Sequence, residues 1–268
     1  MRRLANSARR RRSKKIRRVV SRFSNTKSLS FDGVNDVAAW ASGTTLTNLI
    51  GAGDFTISFW AKRSDWVVSN AAQVALLTNA ITTSPYAIVA LGVTAGTGAS
   101  DADLRGGIRM NVVGNGNTYL DDVTPNLDTI SGVSDNTWIH VAYVSTEGAN
   151  SRSGQFYING AAVTTTANTA SDDVDFSGLD AGLAGLSETK IFGNWYTFQQ
   201  QKLDEIAFFN TAHSASTISD IYNGGTPRDE TSTAGLVGYW RMEDNGNDSS
   251  SNNNRLTVTG ATFTTDTP

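Results

Sequence analysis

Five glutamates, Glu147, Glu188, Glu205, Glu230 and Glu243, and two histidines, His140 and His213, are the groups from which acid–base chemistry in this chain would have to be built. Hydrolysis of a glycosidic bond takes two carboxyl groups flanking that bond, and carboxylates at alternate positions of one strand would face the same way. None of the glutamates has an aspartate two residues further on. Asp204 and Glu205 are adjacent, which on a regular strand sends them to opposite faces. His140 lies in the middle of WIHVAYV and reads as a packed, hydrogen-bonded histidine, whereas His213 opens a short helical pattern and reads as exposed or capping. The absence of cysteine excludes disulfides and thiolate metal sites. No His–carboxylate motif supports a nucleophilic triad. The expectation is a non-enzymatic protein with no catalytic residues.

The other concentration of chemistry is cationic. RRRRSKKIRR (9–18) holds eight positive charges in ten positions: Arg9, Arg10, Arg11, Arg12, Lys14, Lys15, Arg17 and Arg18. The first 27 residues hold twelve of the 22 Lys and Arg and none of the 25 acids, so the other 241 residues carry ten bases against 25 acids, a net of −15. The chain as a whole has a net charge of −3 and a pI near 5.4. Such an asymmetry divides it into a basic arm, 1–27, and an acidic body, 28–268. Ile16, Val19, Val20 and Phe23 share one helical face of the arm, and Ser13 is placed to cap it. The arm is either a self-repelling tail or an amphipathic helix that orders on a partner. Guanidinium groups pair bidentately with carboxylates as well as phosphates. The partner is therefore an acidic protein surface or nucleic acid, the latter with steep salt dependence. The apolar stripe adds contact that phosphate neutralisation does not need. No apolar run reaches the roughly 20 residues that cross a bilayer, and only Val19 and Val20 follow the positive region, so the leader does not read as a secretory signal. No membrane insertion is expected.

The body must be built from short strands. SLSF (28–31), VAAW (37–40), FTISFWA (55–61), AIVAL (87–91), GIRMNVV (107–113), WIHVAYVS (138–145), QFYI (155–158), KIFG (190–193), LDEIAFF (203–209), LVGYWRM (236–242) and LTVTGATF (256–263) are short apolar stretches, most of them alternating, separated by turn residues. In FTISFWA, Phe55, Ile57, Phe59 and Ala61 face one side, and Trp60 falls on the second face. Asn159-Gly160 and Asp32-Gly33 are hairpin signals. The one helical pattern is 213–225, ended by Gly224-Gly225. Residues 62–84, 94–106, 114–136 and 164–188 read as loops. This is an all-β pattern, a two-sheet antiparallel sandwich or jelly roll with one short helix.

SLSFDGVNDVAAW, FTISFWAKR, TWIHVAYV, GQFYINGAAV and KLDEIAFFN followed by SASTISDIYNGG resemble, in family order, the strands of the laminin-G-like, concanavalin A-like jelly-roll family. The resemblance runs from about residue 28 to 225. GLVGYWRMEDNGNDSSSNNNRLTVTGATF resembles a stretch that in the family usually precedes the F-D-G strand, and here it comes last. About thirty residues cannot form a domain alone. A circular permutation is the reading, in which strands within 236–263 close the same sandwich and 236–242 lies beside 28–31.

The resemblance implies a fold used for sugar binding, adhesion and sometimes glycan cleavage. Members that cleave glucans carry E-x-D-x-x-E, which this chain lacks. Calcium is the usual metal of the family, which makes Asp32 and Asp204, in the F-D-G and D-E motifs, the calcium candidates. DNGNDSSSNNN (244–254) is rich in oxygen ligands but also reads as a run of Asx turns. Trp66, Tyr86, Trp195 and Tyr196, in or beside loops, are the aromatics available to stack on a glycan, with FGNWYTFQQQ (192–201) the densest patch. The resemblance extends to structural proteins of tailed phages, marine ones in particular. It implies a virion accessory protein, for capsid decoration or tail and fibre association. Such a protein would be docked on a viral capsid or tail protein by its arm, in many copies on a symmetric assembly, presenting the jelly roll for shell stabilisation or host-glycan adhesion. The alternatives are a free lectin-like module, extracellular or cytoplasmic, and a capsid protein whose arginine-rich arm binds nucleic acid.

Overall fold

FTISFWAKR alternates, and the fold buries both of its faces. A computed structural model describes residues 23–40, 53–66, 74–78, 90–94, 107–113, 119–147, 152–170, 182–183 and 200–268. Two eight-stranded antiparallel sheets form a jelly-roll sandwich. The first sheet runs in the order β10 (Ala161–Ala162), β9 (Arg152–Ile158), β8 (Trp138–Glu147), β3 (Phe55–Arg63), β13 (Gln200–Phe209), β1 (Ser28–Asp32) and β16 (Thr262–Thr264), and β14 (Leu236–Trp240) also pairs with β13. The second runs β11 (Thr166–Ala170), β7 (Tyr119–Val123), β6 (Gly107–Val113), β5 (Ala90–Thr94), β4 (Val74–Thr78), β12 (Gly182–Leu183), β2 (Val37–Trp40) and β15 (Leu256–Thr259). The single described α-helix is α1 (Ala215–Tyr222).

The core lies between the sheets. Phe55, Ile57, Phe59 and Ala61 of β3 point into it with Ile139, Val141 and Tyr143 of β8 and Leu203, Ile206 and Phe208 of β13. Trp40 from the second sheet meets Phe208 and Trp240 from the first, with ring centroids 5.8 and 5.0 Å away. Trp60, as its alternation predicts, lies on the outer face, stacked on Tyr222 of α1 at 5.7 Å and tilted against His140 at 5.2 Å. A second apolar cluster under α1 joins Ala142, Val144, Tyr157, Ala207, Phe209 and Tyr239 to Ile218 and Ile221. The helix starts at Ser214, whose hydroxyl accepts from the Thr217 N–H at 3.2 Å. It ends at Asn223, in left-handed conformation at φ 49°.

Several expectations change. Asn159-Gly160 does close a hairpin, between β9 and β10, with φ of 49° and 75°. Asp32-Gly33 does not, because β1 and β2 belong to different sheets. The chain turns there on an Asx motif, Asp32 Oδ1 accepting from the Val34 N–H at 2.7 Å, and crosses over. LTVTGATF is likewise two strands, β15 and β16, with the chain crossing back at Gly260, φ 82°. Residues 74–78, 119–123, 166–170 and 182–183, read as loop, are strands. Their sequences alternate weakly, and neighbouring strands define them. His213 is buried at 8 % exposure against Phe209 and donates its backbone N–H to Thr56 Oγ1 at 3.1 Å, so it neither caps nor faces solvent. KIFG and residues 87–89 of AIVAL lie outside the described residues.

The late strands join both sheets, β14 and β16 the first and β15 the second, but β14 does not pair with β1 as the expected side-by-side placement of 236–242 and 28–31 would have it. β1 pairs with β13 through 200–203 and β14 through 206–209, both antiparallel. They therefore lie end to end along β13 in one sheet, with β3 on the other side of that strand.

Candidate functional site

The outer face of the first sheet carries the densest polar chemistry among the described residues. Its centre is a β-bulge. The register between β13 and β3 shifts between Asp204 and Ala207, and Glu205 adopts φ 46°. One extra residue in the strand resets the alternation. Leu203 and Ile206 thus both reach the inter-sheet core, and Asp204 and Glu205 share the outer face. This corrects the expectation that the two carboxyls point to opposite faces, which holds only for an unbroken strand.

Both are buried, Asp204 at 0 % and Glu205 at 5 % exposure. Loss of hydration, and then the neighbouring Glu205, pushes the Asp204 carboxyl well above the usual carboxylate range. Burial raises Glu205 to about 8, against the lowering effects of Tyr239 and Arg241. The proton inventory agrees. The Tyr239 oxygen lies within bonding reach of Glu205 Oε2 and, at 3.0 Å, of the Arg228 carbonyl. A hydroxyl has one hydrogen to give. Both contacts are satisfied when a protonated Glu205 donates to the tyrosine oxygen and Tyr239 donates to the carbonyl. Nearby, Arg228 grips the buried Glu230 through Nε and Nη2, at 2.8 and 3.2 Å.

Residues 23–27 run across this cluster. Asn25 Nδ2 donates to Asp204 Oδ2 at 2.9 Å. Glu243 accepts from the backbone N–H groups of Thr26 and Lys27 at 2.6 and 3.2 Å and from the Thr26 hydroxyl. Lys27 reaches Asp244 at 3.5 Å. Phe23, the last member of the predicted apolar stripe, lies under the Arg241 guanidinium at 4.5 Å. The root of the arm is therefore fixed to β13 and the segment after β14. Arg9, Arg10, Arg11, Arg12, Lys14, Lys15, Ile16, Arg17, Arg18, Val19 and Val20 lie outside the described residues.

Of the aromatic candidates, Trp66 is a core residue at 1 % exposure and offers no face to a sugar. Its backbone N–H is held by Asp135 Oδ1 at 2.9 Å. Tyr86, Trp195 and Tyr196 lie outside the described residues. The calcium candidates do not share a site. Asp32 pairs with Gln200 on β13, four residues from Asp204, which is about 13 Å at the rise of a strand. The Asx-rich loop uses its oxygens internally. Asp248 accepts from the N–H groups of Tyr239, Ser250 and Asn254 at 2.8–2.9 Å, and Asn252 and Asn254 donate to the Val237 carbonyl. Among the described residues no group of three or more His, Asp or Glu side chains is arranged to hold a metal. His140 is buried, its Nε2 2.8 Å from Ser58 Oγ, and burial lowers its pKa to about 3, so it stays neutral.

An open cleft of about 350 Å³ lies beside β14, lined by hydroxyl and amide groups that include Asn210, Thr231, Thr233, Ser249 and Ser251. Sequence reasoning also missed Arg241, Tyr239 and the Lys62–Lys202–Trp138 cluster described below. Each converges with partners from distant parts of the chain, and only strand register brings them together.

The family profile Laminin_G_3, described as the concanavalin A-like lectin/glucanases superfamily, matches residues 32–219. The fold is similar to that of a Bacteroides ovatus ATCC 8483 protein named for carbohydrate binding, at TM-score 0.54 and 16 % identity over 92 % of this chain and 62 % of that one. The chain thus spans less than two thirds of that protein's length. It is also similar to the native heptameric SAP-like pentraxin of Limulus polyphemus, at TM-score 0.50 and 13 % identity over 89 % of this chain and 94 % of that one. A search of curated protein sequences finds no match. At such identities the two structures speak for the fold alone, but the profile spans most of the body, and the chain belongs to the concanavalin A-like lectin/glucanase superfamily.

Proposed function

We propose that this chain is a non-enzymatic virion accessory protein, docked by its basic arm on an acidic capsid or tail surface, with the jelly roll turned outward to stabilise the shell or touch host glycans. The observation that carries this reading is the separation of charge, twelve cations and no acid in residues 1–27 against a net of −15 in the rest. The fixed root at 23–27 supports it, since a tether transmits attachment only if its body end is held. The acidic body repels its own copies and stays clear of the surface that attracts the arm. The fold supports the adhesive half of the reading. The absence of an E-x-D pattern in the sequence and the structural use of His140 support the non-enzymatic half.

The test is a pull-down of the particle's proteins by the full chain and by a chain lacking residues 1–22, each with and without nuclease. Binding that needs the arm and survives nuclease supports docking on protein. Binding lost to nuclease replaces this reading with a nucleic-acid-binding capsid protein. Binding that ignores the arm leaves a free lectin-like module.

A further inference from the structure

On the outer face of the first sheet, away from the carboxyl pair, three donors from three adjacent strands converge on one carboxylate. Trp138 of β8 pairs with Lys62 of β3, and Lys62 with Lys202 of β13. The three side chains therefore form one cross-strand row. Asp266, beyond β16, lies over that row. Its Oδ1 accepts from Lys62 Nζ at 3.0 Å and from Trp138 Nε1 at 3.1 Å. Its Oδ2 accepts from Lys62 Nζ at 2.8 Å and from Lys202 Nζ. Each carboxylate oxygen thus has two donors. Burial would raise the Asp266 carboxyl, but the hydrogen bonds donated by Lys202, Lys62 and Trp138, with the Lys202 charge, hold it down at about 2.

The donors stand on three central, mutually paired strands, whereas the carboxylate comes from the segment that follows β16. That segment is held otherwise by the Ser28 hydroxyl, which donates to the Asp266 carbonyl at 2.7 Å, and by a 3.4 Å bond from the Asp266 N–H to Thr264 Oγ1. A preformed receptor with a replaceable occupant is the geometry of a binding site filled by an internal mimic. We propose that Lys62, Lys202 and Trp138 form a carboxylate-binding site for the acidic sugar of a glycan, and that Asp266 occupies it until the ligand displaces it. A body with a net charge of −15 repels polyanions such as nucleic acid or acidic polypeptide. The ligand that fits carries one carboxylate on an otherwise neutral, hydroxyl-rich frame. The partly buried Trp138 indole stands at the carboxylate, and Ser30 of β1, which faces Lys202 in the strand register, extends the row by one polar residue. This inference rests on the glycan-adhesion part of the proposed function and gives it a site.

The test is titration of the full chain with sodium glucuronate, followed through the Trp138 indole N–H resonance. With Asp266 seated most of the time, the open fraction is small, so Asp266→Ala should bind at least about tenfold more tightly than wild type. Adding Lys202→Ala or Lys62→Ala should abolish the gain. Asp266→Ser, whose shorter side chain cannot span to all three donors, gives the same readout should the alanine variant fail to fold. No gain in either Asp266 variant overturns the proposal. So does acetate binding as tightly as glucuronate, or an acidic peptide binding more tightly. A wild-type chain that binds neutral glycans on an array, while Asp266→Ala ignores glucuronate, sinks this site and leaves adhesion standing. An array blank for wild type, with tight glucuronate binding by Asp266→Ala, supports the site and removes adhesion as an activity of the closed form.

Discussion

Arg241 holds Phe23. Its guanidinium lies 4.5 Å from the ring centroid, and its Nη2 donates to the carbonyl of the next residue, Ser24. A cation–π contact and a charged hydrogen bond of this kind contribute about 1–3 kcal/mol together. Arg241→Ala should release the root of the arm and leave the sandwich folded. Hydrogen exchange reads this directly, because the Thr26 and Lys27 amides are bonded to Glu243. Both amides should lose protection by about tenfold or more, while amides of β3 and β8 keep theirs. Unchanged protection at Thr26 would show that Glu243 alone fixes the root.

Glu205 makes stability depend on pH in a defined direction. Its folded pKa, about 8, lies above its unfolded value. The folded state therefore binds the extra proton, and the stabilisation present below the unfolded pKa is lost as pH rises through about 8. Asp204 is shifted in the same direction and adds to the slope. Melting temperature should fall on going from roughly pH 5 to pH 9, and Glu205→Gln, which mimics the protonated acid, should flatten that fall. A wild-type melting temperature that rises over this range would contradict the protonated pair. Asp266 acts with the opposite sign. Its pKa is lowered to about 2, so its contribution is lost only as pH drops below the ordinary carboxylate range.

Trp240 ties the late strands to the rest of the core. It is fully buried, meets Trp40 at 5.0 Å and Phe208 at 5.3 Å, and donates its indole N–H to the Asn254 carbonyl at 2.7 Å. Trp240→Ala should cost about 3–5 kcal/mol in denaturant unfolding, in one transition with the rest of the sandwich. A separate early transition would mean that β14 to β16 form their own unit.

Gly260 marks where the chain crosses from β15 to β16. It has φ 82°, and a Cβ there would stand 2.2 Å from Asp36 Oδ1. Asp36 in turn accepts from the Asp32 N–H at 2.7 Å, so the two inter-sheet crossings lie against each other. Gly260→Ala should lower stability by more than about 1 kcal/mol through both strain and displacement of Asp36. An unchanged melting temperature would show that the crossing can relax.

The parts of this molecule legible in the sequence are those where local pattern and final environment agree. The alternation of FTISFWA gave both faces of β3, including the outward Trp60, and Asn159-Gly160 gave the hairpin. A thirty-residue piece has no core of its own, but that argument could not show that β14 and β1 meet different stretches of β13 instead of each other. What stayed hidden was set by non-local register. Nothing near Asp204 and Glu205 announces a bulge, since the extra residue exists only relative to β3. The sequence YLDDV became β7 because β6 and β11 flank it, and its Asp122 meets the Tyr143 hydroxyl of the opposite sheet at 2.6 Å. Trp66 lay in a loop by composition and became core by packing. Lys62, Lys202, Trp138 and Asp266 are far apart in sequence, and two strand pairings make them neighbours.

The most direct measurement is the copy number of this protein in purified, nuclease-treated particles, determined by quantitative mass spectrometry for the full chain and for a chain lacking residues 1–22. The expected result is many copies per particle for the full chain, in whole-number proportion to a shell or tail protein, and loss of nearly all of them without the arm. Particles that carry no copies of the full chain, or that retain the armless chain in equal number, would contradict attachment through the cationic leader.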